Sequence, residues 1–227
     1  MQIKIDQIIH SRRKSVAIII QGDGKLVVRA PLRLSNSRIQ DFVLSKTDWI
    51  LAQQAKAASR QAPVHAFTSG DTFLFLGKTI PLEITEKSAR SLTLDSCFLL
   101  RSSDQPQARE IFTKWYKQQA RQVFTSRVQF FAQQYTFNYS KIRLSSARTR
   151  WGSCNSKGSL SLTWRLVMAP MEIIDYVVIH ELVHLEIQNH SSTFWKKVQE
   201  YLPDYKIRRT WLKEHGSLLN LGDRHIR

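Results

Sequence analysis

Cysteine is nearly absent. Cys97 and Cys154 are the only two in 227 residues, far apart and not in a metal-type pair, so a fold that depends on disulfides is excluded and a cytoplasmic location is expected. Long hydrophobic runs are missing too. Met1 to Ser15 carries charges throughout, and the longest early apolar run, Val16 to Ile20, has only the length of a strand; neither a secretory signal nor a membrane span is expected. Acidic residues are scarce, 18 against 34 Lys and Arg, which leaves a net charge of +16. Residues 101 to 150 hold ten positive and two negative side chains, half of the whole excess. Such concentration favours a polyanionic partner, DNA or RNA, over a neutral small molecule. No recognised nucleic-acid-binding motif accompanies it.

What is present is a foldable core. An apolar content of 42% at this length supports one large domain or two small ones. The first hundred residues read mainly as strands: Val16 to Ile20 and Lys25 to Arg29 flank the turn Gly22-Asp23-Gly24, and Pro31 closes the second strand. Ser35, Asn36 and Ser37 offer caps for a helix that carries Ile39, Phe42, Val43, Trp49 and Ile50 and ends near Arg60. Strand composition returns over Gly70 to Leu76, Thr79 to Thr85 and Ser91 to Arg101, with a turn at Gly77-Lys78. This half holds no clustered catalytic side chains, which assigns it to scaffolding or substrate selection.

Asp104 and Pro106 mark the start of a long amphipathic helix through Phe112, Ala120, Phe124, Val128 and Phe131. Lys114, Lys117 and Arg121 form a basic stripe on another face and are the candidate nucleic-acid contacts. Residues 141 to 166 look like a β-hairpin, with a turn over Asn155 to Gly158 and a strand from Ser159 to Leu166. Trp151 and Trp164 are expected to pack, and Gly152 to permit close backbone approach. The predicted class is α+β: a β-rich N-terminal region, 1–102, then a mainly helical zincin-like catalytic domain, 103–227, with the hairpin before its metal helix.

Pro170 begins that helix, which is apolar nearly all round and should be buried. It contains His180-Glu181-Leu182-Val183-His184, an H-E-x-x-H. Residues four apart share a helix face, so His180 and His184 can offer nitrogens to one ion, while Glu181 can take a proton from water activated by the metal. A catalytic zinc site usually takes three protein ligands and keeps one position open. His190 is the nearest third donor, but on an unbroken helix it would lie roughly 9 Å further along the axis than His184. The helix must therefore end between them. Asn189 can serve as a left-handed C′ residue, and Ser191 or Ser192 as the N-cap of the next helix. Pro203-Asp204 breaks that helix, another runs from Tyr205 to His215, and the last eleven residues are expected to fray. His10, His65, His215 and His225 have no comparable grouping.

With Arg150-Trp151-Gly152-Ser153-Cys154, the His180 to His190 array, Asn189-His190-Ser191 leading to Phe194-Trp195, and Pro203-Asp204-Tyr205, the chain resembles the YgjP-like metallopeptidases over nearly all its length. That family is similar in its metal helix to the SprT/Spartan and WLM zinc proteases, some of which degrade proteins crosslinked to DNA. The resemblance implies ligands at His180, His184 and His190, Zn²⁺ as cofactor, Glu181 as general base and a protein or peptide substrate. Tyr176, Tyr205 and His215 are candidate oxyanion donors. Three alternatives stay open: a metal-dependent nuclease, a nucleic-acid-binding module with a structural zinc, and a site in which Cys154 replaces His190.

Overall fold

The computed structural model describes residues 3–21, 24–59 and 64–222. The chain divides into two compact units, Met1–Gln61 and Ala62–Arg227. In the first, β1 (Gln7–Ser11) and β2 (Ala17–Ile20) flank β3 (Leu26–Pro31), β1 parallel and β2 antiparallel to it. The β2–β3 hairpin was expected and β1 was not; Gly22 and Asp23 of its turn lie outside the described residues. Leu26, Val28 and Ala30 alternate onto one face of β3 and bury against Ile39, Val43 and Ile50 of the helices that follow.

Those helices are two, α1 (Asn36–Leu44) and α2 (Thr47–Ser59), where the sequence suggests one. Hydroxyls cause the break. Ser45 Oγ donates to the Phe42 carbonyl at 2.8 Å and Thr47 Oγ1 to that of Leu44 at 2.7 Å, taking acceptors near the end of α1. Arg60, the expected end of this stretch, is not among the described residues.

In the second unit β4 (Thr72–Phe75), β5 (Lys78–Thr85), β6 (Leu92–Leu94) and β7 (Phe98–Arg101) form a sheet ordered β4-β5-β7-β6. The stretch Ser91 to Arg101 is thus two strands. The β4–β5 turn falls on Leu76 and Gly77, with φ of 49° and 77°, one residue before the expected position. Positive φ at both central residues is what a tight hairpin twist demands.

A 3-10 turn over Ser102–Gln107 leads into α3 (Ala108–Gln134), whose buried stripe is Ala108, Phe112, Tyr116, Ala120, Phe124, Val128, Phe131 and Ala132. The Phe112 ring lies 4.3 Å from that of Phe73 and 5.1 Å from that of Phe98, and the Tyr116 hydroxyl donates to the Leu74 carbonyl at 2.6 Å. Each such ring contributes about 2–3 kcal/mol by burial. Strands and helix share this one core, and the compact units part near residue 61.

The third sheet is β8 (Lys141–Ser145), β9 (Gly152–Cys154) and β10 (Ser159–Thr163) in the order β8-β10-β9. The expected hairpin is β9–β10, and β8 pairs parallel to β10. The last strand stops at Thr163, and Trp164–Met168 is a buried 3-10 turn. Then come α4 (Met171–Val183), α5 (Ser192–Tyr201) and α6 (Tyr205–His215). Eight apolar residues of α4, from Ile173 to Val183, are buried, as its pattern requires. Arg127 of α3 grips Asp175 of α4 through two hydrogen bonds of 2.6 and 2.9 Å. The tail does not fray through residue 222: Leu219 and Leu221, each 1% exposed, insert into the core. No helix among the described residues is long and apolar enough to cross a membrane.

Candidate metal centre and active-site cleft

α4 ends at Val183, with His184 as its C-cap, and a turn carries the chain back to His190. The turn is held locally. The His184 carbonyl accepts from the Gln188 side chain, and His184 Nδ1 donates to the Ile187 carbonyl at 2.9 Å. Asn189 acts differently from the left-handed cap expected: among the described residues the non-glycine positive φ values belong to Phe67, Leu76 and Thr136. Its Oδ1 instead accepts from the Ser191 N–H at 3.2 Å, and Ser191 Oγ caps α5 through the Phe194 N–H at 3.4 Å.

The result is a close grouping of three imidazoles. His190 Nε2 lies 3.0 Å from His180 Nε2 and 3.1 Å from His184 Nε2. Among the described residues these three form the group able to hold a metal ion, and Cys154 stands outside it. With Nδ1 of His184 donating to a carbonyl, its Nε2 keeps a lone pair facing the others. Burial, reinforced by His184, His190 and Arg209, pushes the His180 pKa down to about 3; burial and the same kinds of neighbour lower that of His190. Both rings are therefore neutral near pH 7, the form that ligates a cation.

Glu181 is 5% exposed, and its Oε2 has no hydrogen-bond partner. Burial pushes its carboxyl up to about 8, against the opposing pull of Arg150. The carboxyl lies against Gly152 of β9, where a side chain would overlap it. Burial first, then the Glu181 charge, raises the Cys154 thiol to about 11, so Cys154 is no thiolate near neutral pH.

Beside the imidazoles opens a cleft of about 340 Å³ lined by Trp151, Gly152, Tyr176, Val177, His180 and Glu181, with Leu212 and three cations, Arg150, Arg209 and Lys213. Tyr176 thus faces the site, its phenol pushed up to about 12 mainly by burial. The other two candidate donors are not among the residues that line this cleft. Tyr205 stacks on Trp195 with centroids 5.4 Å apart, and His215 stacks on Trp211 at 4.7 Å. Trp164 packs in the core as expected; Trp151 packs against the same core and also lines the cleft. Arg209 and Lys213 were not legible as site residues; no local motif distinguishes them from other surface cations on α6. Trp195, stacked 5.7 Å from His190 on one side, was legible only as part of the family motif.

Lys114, Lys117 and Arg121 are all exposed on α3, and none lines the cleft. His10 Nδ1 donates to the Pro31 carbonyl and His65 stacks on Phe73; neither belongs to the group able to hold a metal, and His225 is outside the described residues.

Over most of its length the sequence is that of a metallopeptidase domain. A family model described as YgjP-like, metallopeptidase domain, matches residues 14–215, and the chain belongs to that family. Its substrate is accordingly a protein or peptide. Among solved structures, the metallopeptidase zymogen abylysin of Pyrococcus abyssi is similar at 22% identity, over 40% of this chain and 93% of its own, with a TM-score of 0.36. No curated protein matches the chain.

Proposed function

We propose that the protein is a zinc-dependent endopeptidase of the H-E-x-x-H type, with His180, His184 and His190 as ligands and Glu181 as general base. The observation that carries this reading is the approach of three Nε2 atoms to 3.0 and 3.1 Å beside a buried, unpartnered carboxyl. Zinc bonds of about 2.0–2.1 Å in tetrahedral array set ligand nitrogens roughly 3.3 Å apart, so the donor set fits that ion with small adjustments. Bound there, zinc supplies Lewis acidity toward a peptide carbonyl and acidifies water toward neutrality.

Glu181 then has a defined task. Its carboxyl, raised by burial, ionises readily once a dication offsets that burial. It accepts a proton from the attacking water and passes it to the departing amine. Tyr176, protonated at any physiological pH, donates to the oxyanion that develops at the scissile carbonyl. β9 lies at the edge of its sheet beside α4, and an extended substrate pairs with that edge to present its carbonyl.

Exchange of Glu181→Gln tests the reading. The variant keeps about one metal per chain by elemental analysis and loses casein hydrolysis by roughly 10²–10⁴-fold. Retained hydrolysis removes Glu181 as the base.

The stripe Lys114, Lys117 and Arg121 supports a contact with DNA or RNA, and with it action on DNA-associated proteins. A cytoplasmic setting accords with Cys97 and Cys154, both free thiols.

A further inference from the structure

Apart from the imidazoles and Glu181, the charged side chains that line the cleft are all cationic: Arg150, Arg209 and Lys213. They come from two places in the chain. Arg150 stands two residues before β9, while Arg209 and Lys213 stand one turn apart on α6, a spacing at which like charges repel unless an anion lies between them. None of the three is held in an ion pair with a described residue. Arg209 is nonetheless fixed in position. Its guanidinium lies 4.6 Å from the centroid of Trp195, which itself stacks with His190 and with Tyr205 at 5.7 and 5.4 Å. A planar cation stacked in this way is pre-organised, so little side-chain freedom is lost when it binds an anion.

Glu181 does not satisfy the three: its carboxyl feels the charge of Arg150, yet no ion-pair contact joins it to any of them, and it lies buried against Gly152 with a chemical task of its own. The remaining walls, Trp151, Val177 and Leu212, are apolar and suit the neighbouring backbone and side chains of a peptide.

We propose that the cleft selects substrates carrying a carboxylate next to the scissile bond, bound by Arg150, Arg209 and Lys213. The carboxylate comes either from an acidic side chain or from the C-terminus of the peptide. This inference rests on the peptidase reading of the same site and names its substrate class.

The test uses the full chain loaded with zinc and quenched fluorescent peptides that differ at one position beside the cleaved bond, Glu, Gln or Lys. Each is made with a free and with an amidated C-terminus. The expected kcat/KM is about tenfold or more higher for Glu than for Gln, with Lys lowest. Lys213→Glu and Arg209→Glu each shift the ratio toward the Lys peptide. The ratio is internal to each variant, so partial misfolding does not mimic the shift, and Lys213 serves where loss of the Arg209 stack disturbs Trp195. A gain that follows the free C-terminus alone assigns the carboxylate to the chain end. Cleavage of Glu, Gln and Lys peptides at equal rates in both end forms overturns the inference while leaving the peptidase reading intact. So does an oligonucleotide that competes for the cleft without any acidic preference among peptides. Failure to cleave casein or any peptide with metal bound takes down both.

Discussion

Gly152 makes room for Glu181: a Cβ built on that glycine would lie 2.7 Å from both Cδ and Cγ of the glutamate. Distances under 3.0 Å force a shift, and the burial of Glu181 leaves it few alternatives. Gly152→Ala should therefore displace the carboxyl while sparing the imidazoles. A misplacement of about 1 Å costs on the order of 100-fold in rate. Peptidase kcat/KM is expected to fall by that order with metal content unchanged, and an unaltered kcat/KM would mean that the carboxyl position is unimportant.

His190 reaches the metal group only because α4 stops at Val183 and the turn returns. Its removal in His190→Ala leaves two imidazoles. Zinc affinity should drop by more than the roughly 10–100-fold typical of losing a hydrogen-bonded support to a ligand. Competition with a chromogenic chelator measures this, and wild-type affinity in the variant would exclude His190 as a ligand.

For the metal-free protein, the sign of the pH effect follows from Glu181. Its folded value of about 8 lies above the ordinary 4.5, so between those pH values the folded state holds a proton that the unfolded chain has released. That preference is fully present below 4.5 and is lost as pH rises through 8. The Tm of the wild type should therefore fall relative to that of Glu181→Gln as pH rises from 4.5 to 8. His180 works oppositely, adding stability as pH rises from about 3 to 6.5, and is common to both proteins, so the comparison cancels it. A constant Tm difference across the range would contradict the raised value.

The Arg127–Asp175 pair ties α3 to α4 with side chains 24% and 14% exposed. Asp175→Ala leaves the guanidinium unpaired, though it still stacks 4.7 and 4.9 Å from the Phe130 and Phe131 centroids. A loss of about 2–3 kcal/mol in urea denaturation is expected for a partly buried pair of this geometry. A change below about 0.5 kcal/mol would rank the pair with ordinary surface ion pairs.

If Lys114, Lys117 and Arg121 meet phosphates, exchanging all three for Gln should weaken DNA binding uniformly across sequences. It should also flatten the plot of log affinity against log salt by roughly 0.9 for each phosphate no longer neutralised. An unchanged slope assigns the stripe to solvent.

Features governed by local rules were legible in the sequence. The apolar circumference of α4, the break at Pro203 and the span Tyr205–His215 follow from periodicity and from residues that start or stop helices. The H-E-x-x-H spacing and the need for a chain reversal before His190 follow from helix geometry. The mechanism of that reversal did not, because an Asx turn at Asn189 and a left-handed cap draw on the same residue type. The break between α1 and α2 was hidden for a similar reason: Ser45 and Thr47 are compatible with a helix until their hydroxyls choose carbonyls. Arg209 and Lys213 were invisible because a cleft is assembled by packing between distant segments, and α6 carries their charges in a pattern common to solvated helices. The burial of Leu219 and Leu221 is likewise a tertiary event beyond any local pattern.

The tip of the β4–β5 hairpin bears directly on α4. Leu76 and Gly77 donate to the carbonyls of Val167 and Met168 at 2.9 and 3.1 Å, and a Cβ on Gly77 would strike Pro170, the N-cap of α4. The strand-rich segment is thus a footing under the very rod that carries His180 and Glu181. Where that rod begins is therefore set by backbone from a distant part of the chain.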